Sequence, residues 1–444
     1  MIALLTVLNA SAQDDIVTDA ATDEAAPAAV APAPVHEPAL KAPVLWAVDA
    51  ATTAVLVEDH RAPLVQLRIQ VPAGNWTPWL IENHGIEAWL RQNYDTDGDL
   101  RARADSLAAD FYFNVREQRS TMVVRCLKRD LPAVLELVDD ILTNTDYDTE
   151  ELKRMQQGYD IGWKGSQKEH TFRMNQATHR LLFAEGDPRR ISYEKPGSVE
   201  TNSDELVAVR DAMLRLPGRV IGFSGDLTLE EAEAMVGGIL PEAEAAPEGM
   251  EPVFYPLSVL PESAVESMDN LTQTYFAWFK AGPNWEAEDY AAWRVADHVL
   301  GGHNFSRLNV ALRHDGGETY GVRTAGRGSE NERVYSISTF TRLENTESTE
   351  EKLRAALATF HSEGISAEEL DGAIGYWLGS RLSDKQSPNQ ILNETLWALG
   401  NDRTIDWKDD LNEAIAALTV EDVNAAITEH FAPESFTMLR VTEE

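Results

Sequence analysis

A single cysteine, Cys126, occurs in 444 residues, so no intrachain disulfide is available. It stands among apolar neighbours, the setting of a buried thiol, and a lone thiol of that kind gives no support for cysteine catalysis. Positive charge is also scarce: 38 lysines and arginines face 74 aspartates and glutamates, a formal net charge of -36. That balance excludes a general nucleic-acid or anionic-membrane surface and suits solubility or a saline medium. Beyond the N-terminal leader no apolar run is long enough to cross a bilayer. The glycine pair Gly301-Gly302 is not followed by Gly-Lys-Ser/Thr, which excludes a phosphate-binding loop. The acidic stretches at 95–99 and 139–148 lack the full oxygen-ligand spacing of a calcium hand and are expected to be solvated surface.

What is present begins with an apolar run at 2–8 and Ala10-Ser11-Ala12 ahead of Gln13, the pattern of a secretory signal remnant over 1–12, although the basic flank is missing. Residues 13–44, rich in alanine, proline and acid, form an expected flexible leader. From 45 onward the chain has the punctuation of a folded protein. Strand patterns occur at 54–57 and 65–71, helical spacing at 102–109 and 131–142, strand material between them, a strand ending near Asp226 and a helix from Thr228 to Val236. Residues 241–255, rich in Ala, Glu and Pro, read as a linker. The order then recurs: a strand over 272–279, a helix over 287–300, a strand over 334–341, and helices over 350–360 and 366–378. Thr149-Glu150-Glu151-Leu152 is echoed by Ala367-Glu368-Glu369-Leu370. Two related α+β domains, 45–240 and 256–444, are expected. A chain of this length has enough apolar material for more than one core.

The stretch carrying the most chemistry is Glu82-Asn83-His84-Gly85-Ile86-Glu87-Ala88, on an expected helix that opens near Pro78. Positions 84 and 88 are four apart and share a helix face. Histidines at both, with Glu87 between them, would hold zinc and leave a carboxylate to activate water. Ala88 has no lone pair to offer, and Glu87 cannot replace the ligand while serving as base.

These residues resemble the inverted His-x-x-Glu-His motif of the pitrilysin/insulinase family of zinc peptidases, and the resemblance runs from about Trp46 to the C-terminus. It implies two homologous domains, each an antiparallel sheet with helices packed against one side. His84 falls at the first histidine, Glu87 at the catalytic glutamate and Ala88 at the second histidine. The family's distant glutamate should lie near Gly162-Trp163-Lys164-Gly165, where Asp160 and Glu169 are close but out of register. With fewer than three ligands, a catalytic zinc site is not assembled. His84 is then either a surviving helix-face histidine or part of a rearranged site with His170 or His179.

The resemblance continues in the second half. Leu300-Gly301-Gly302-His303 leads to Arg313 and Tyr320, which match an Arg/Tyr pair that holds substrate opposite the zinc-bearing subunit in family members divided between chains. Here the pair would bind a peptide carbonyl or terminal carboxylate, or serve as an internal sheet-helix clamp. Gly301 and Gly302 would permit an unusual turn or a close approach; His303 and His314 read as loop polar groups. Asn114, in Phe111-Tyr112-Phe113-Asn114-Val115, matches a substrate-facing strand edge, with aromatic packing as the plainer reading of the segment. Trp76, Trp79 and Trp89 flank the degenerate motif and suit packing.

The expectation is a non-catalytic, periplasmic or secreted subunit of a heteromeric zinc metallopeptidase. It binds no cofactor itself and pairs with an active zinc-bearing partner, as a heterodimer, to complete a peptide chamber. A divergent zinc endopeptidase with a rearranged metal site, and a structural or peptide-binding protein without proteolytic activity, are the alternatives.

Overall fold

The computed structural model describes residues 40–77, 98–145, 149–191, 193–194, 203–248, 253–258, 260, 263–328 and 333–443. The first half contains β1 (Val44–Ala47), β2 (Thr52–Glu58), β3 (Leu64–Val71), α1 (Gly98–Ser106), β4 (Asp110–Val115), β5 (Ser120–Leu127), α2 (Leu131–Thr143), α3 (Thr149–Ser166), α4 (His170–Leu182), α5 (Ser203–Arg215), β6 (Arg219–Gly225) and α6 (Leu229–Val236). The second contains β7 (Ser263–Ser267), β8 (Gln273–Gly282), α7 (Tyr290–Gly301), β9 (Arg323–Gly328), β10 (Arg333–Arg342), α8 (Thr346–Glu363), α9 (Ala367–Asp384), α10 (Pro388–Gly400), α11 (Trp407–Ala416), α12 (Val420–His430) and β11 (Thr437–Thr442).

These strands form two sheets, ordered β1-β2-β6-β3-β5-β4 and β7-β11-β8-β10-β9. The sheets follow one plan. In each, the half's last strand inserts between two earlier strands and runs parallel to one of them (β6 to β2, which is inner, and β11 to β7, which is an edge), while the remaining pairs are antiparallel. A strand that returns only after the half's intervening helices is free to enter in either direction, whereas short hairpins such as β4-β5 force antiparallel pairing. The sheets are therefore mixed rather than wholly antiparallel.

Local sequence explains the elements. In α2 the buried Leu131, Val134, Leu137, Val138, Ile141 and Leu142 recur at helical spacing on one face. Thr228 and Glu231 cap α6 reciprocally, and Ser366 and Glu369 do the same for α9, each side chain accepting from the other residue's backbone N–H. One core lies between the first sheet and α2, α5 and α6, including Leu56, Leu67, Val134, Leu137 and Phe223. The other gathers Trp278, Trp293, Tyr335, Leu353, Phe360 and Phe431 between the second sheet and α7, α8 and α12.

The halves also exchange helices. Helices α3 and α9 are both 18 residues long, α4 and α10 both 13, and the starts of each pair are 218 positions apart (149 to 367, 170 to 388). From the first half, α4 packs Ala177 and Leu182 against Ala277, Phe279 and Leu439 of the second sheet. From the second, α10 packs Leu392 and Leu396 against Val55, Val57 and Val220 of the first sheet. Each sheet thus carries its own helices on one face and one of its counterpart's helices on the other. This is why every residue of β6 is buried. Gly222 makes room for the visiting helix, since a Cβ there would come within 2.7 Å of a Leu392 methyl.

Candidate functional site

Between the two halves lies a cavity of about 2110 Å³, lined from both. The first half contributes Arg68 and Gln70 of β3, the β4-β5 turn and one face of α4. The second contributes β8, β9, β10, the segment after α7, and the end of α10. Reciprocal exchange creates this space: α4 and α10 cover part of each open sheet face and leave the remainder facing the interior.

Arg313 and Tyr320 both line it. Arg313 sits in a single π-helical turn, Val310–His314, and its guanidinium lies over the Tyr320 ring, 5.0 Å from the centroid. Tyr320 is 77% exposed. A guanidinium on an aromatic face keeps its in-plane donors free. Among the described residues Arg313 makes no ion pair, which leaves those donors available to an acceptor in the cavity. The pair is anchored from behind. Asn309 donates to the His303 and Val322 carbonyls and accepts from Val322 N–H, tying the turn to the strand that follows.

Gly301 supports the same region by close approach, since a Cβ there would lie 2.2 Å from Thr324 Cγ2. His303 is exposed and accepts from Phe305 N–H; His314 is exposed, stacks on Phe305 at 5.3 Å and contacts the Asn304 carbonyl. Burial, with His303 and Arg294 nearby, lowers the neighbouring His298 to about 4, so its ring stays neutral near pH 7 while it stacks on Tyr376.

On the opposite wall, His170 stacks on Tyr275 with ring centroids 3.7 Å apart, and burial lowers its pKa. His179 Nδ1 lies 2.6 Å from the Arg189 carbonyl. Both histidines line the cavity and both belong to α4. Trp76 packs edge-on against Phe254 at 5.7 Å and lines it as well. Asn114 is half-buried on β4, opposite Thr121 of β5, and is not among the cavity-lining residues. The strand that carries it is an edge of the first sheet. Cys126 is buried, and its thiol is pushed up to about 11 by that burial.

His84, Glu87 and Ala88, with Trp79 and Trp89, lie outside the described residues. Among the described residues no group of three His, Cys, Asp or Glu side chains is placed to hold a metal ion. The last turns of α3, where a distant ligand would be required, offer Gly162 and Gly165 with open space around their Cα atoms, and Asp160 is exposed. The described residues do not by themselves assemble the ligand set of a catalytic zinc. Among the described residues no helix is long and apolar enough to cross a membrane.

Residues 201–375 match the family described as the peptidase M16 inactive domain. The chain carries an M16 peptidase inactive domain. The matched segment crosses from the first half into the second, from the start of α5 into α9. No curated protein matches the chain. Among solved structures it is similar to the peptidase M16 inactive domain from Pseudomonas fluorescens, at 20% identity and a TM-score of 0.75 over 90% of this chain and 98% of that one. A protease from Helicobacter pylori aligns at 11% identity and 0.76, over 91% and 100%. A periplasmic protease from Escherichia coli aligns at 12% and 0.71, covering 92% of this chain but 47% of that one. At these identities the likeness establishes the fold, a tandem α+β M16 architecture.

Several wall residues carry no linear signal. Arg68, Arg116, Arg323 and Tyr275 are scattered along the chain and meet only because two sheets face one cavity.

Proposed function

We propose that this protein is a non-catalytic M16-type peptide-binding protein, whose interior cavity holds an extended peptide against Arg313 and Tyr320. The observation that carries the reading is the Arg313–Tyr320 stack on the wall of a cavity spanning both halves, in a chain with Ala88 where a zinc ligand would be needed. The ring holds the guanidinium plane, and the guanidinium donates to a backbone carbonyl or a terminal carboxylate. Polar side chains such as Gln70, Asn393 and Ser338 supply further partners for a peptide backbone. Asn114, on the open edge of the first sheet, extends the proposed path as a contact for an added strand.

The test is equilibrium binding of a labelled peptide library to the purified chain. Saturable binding without cleavage is expected, with Arg313→Ala weakening it by about tenfold, the loss of one charge-assisted contact. Unchanged affinity in a folded Arg313→Ala protein would remove the pair from the site.

A second reading is favoured by one observation, that the chain covers 47% of the Escherichia coli protease. A chain half that length would act as one shell of a two-chain chamber, with zinc and the intact motif on an active partner. The resemblance of 1–12 to a signal remnant, and the periplasmic source of that relative, favour a location outside the cytoplasm. Mixing this chain with a candidate zinc peptidase should then raise peptide cleavage above that of the partner alone; no gain would dismiss the shell.

A further inference from the structure

The described lining of the cavity is opposite in charge to the chain as a whole. Acidic residues outnumber basic ones 74 to 38 overall, yet among the described residues the cavity is lined by seven arginines and one carboxylate, Glu117. Arg189 is spoken for, bonded to the fully buried Asp187. Arg68, Arg116, Arg313 and Arg323 make no ion pair among the described residues. They stand as two banks: Arg68 on β3 and Arg116 at the β4-β5 turn on one side, Arg313 and Arg323 on the other. Guanidinium groups that line one cavity without carboxylate partners repel one another, and acceptor groups placed among them would relieve that repulsion. Burial and the neighbouring Arg125 already hold Arg68 below the usual arginine range.

We propose that the cavity selects acidic peptide segments, whose carboxylates bridge the Arg68/Arg116 bank and the Arg313/Arg323 bank. This rests on the peptide-binding reading above and adds the substrate class to it. A peptide fits better than a nucleic acid. The wall bears amide and hydroxyl side chains suited to a peptide backbone, and among the described residues β9, which begins at Arg323, pairs with β10 alone and is an edge strand. The acidic exterior repels a long polyanion, whereas a short acidic segment inside the cavity feels chiefly the nearby arginines, since exterior charges are screened within about 8 Å at physiological salt. Bidentate guanidinium-carboxylate pairing supplies the directionality.

The experiment uses the full chain and labelled peptides of one length and one sequence frame, carrying Glu, Gln or Lys at alternate positions, with an oligothymidylate of similar length as the other polyanion. The Glu peptide is expected to bind at least about tenfold more tightly than the Gln peptide at low salt. The Lys peptide should bind most weakly, and the Glu preference should shrink as salt rises. Arg116→Glu and Arg323→Glu, both at exposed positions, should lower Glu-peptide affinity more than Gln-peptide affinity, and Arg116→Lys with Arg323→Lys should retain the preference. Equal binding of Glu and Gln peptides would overturn the charge selection and leave peptide binding standing. Oligothymidylate binding as tight as the Glu peptide would overturn the peptide assignment. Binding of no peptide by folded protein would overturn the peptide-binding reading and this inference with it.

Discussion

Two residues at the second-half site make separate claims. His298 is 8% exposed, and its pKa falls from 6.5 to about 4 because of burial and then of His303 and Arg294. Its folded-state pKa lies below its unfolded one, so the unfolded chain binds more protons between those values. Its contribution is fully present above about pH 6.5 and is lost as pH falls toward 4, by up to about 3 kcal/mol. Thermal melts should decline across that window, and His298→Phe, which keeps a ring beside Tyr376, should flatten the decline; an unchanged slope would show that His298 is not the group responsible. Gly302 makes the second claim. A Cβ there would meet the His298 Cα at 2.7 Å, backbone that cannot swing aside, so Gly302→Ala should cost about 1–3 kcal/mol in denaturant melts. Arg313 and Tyr320, which line the cavity, were marked in the sequence by the resemblance of their segment to a family pair. Arg68 and Arg323 were not, since nothing local distinguishes a cavity arginine from a surface one.

At the scale of elements, the segments with strong local signals were readable. α2 shows its apolar stripe, α6 and α9 show their capping pairs, and β3, β8 and β10 show strand composition. β7, with its alternating exposed residues, and the returning β11 depend on partners far away in the chain and leave no such mark. The helix exchange was equally hidden, because apolar spacing states that a helix buries a face and not which sheet receives it. Leu392 of α10 is fully buried against the first sheet. Leu392→Ala should destabilise the protein by about 2–5 kcal/mol and lower a single unfolding transition shared by both halves. Two separated transitions would contradict the exchange as a coupling element. Gly372 stands in the interior of α9 with open space where a side chain would go, so Gly372→Ala should stabilise by about 0.5–1 kcal/mol.

The whole molecule is a pair of matched sheets clasped by each other's helices around an interior lined by both. Repetition was visible in the sequence as recurring strand and helix patterns, and the recurrence of α3-α4 as α9-α10 at one offset is its structural counterpart. The cavity itself was beyond sequence reading, because it exists only through the packing of one half upon the other. The central claim is that this interior holds peptide without hydrolysing it. The most direct measurement is mass spectrometry of a peptide recovered from the full chain in the presence of zinc, alongside its binding isotherm. Intact peptide with saturable binding is expected; turnover by the chain alone that Glu87→Gln abolishes would contradict the claim.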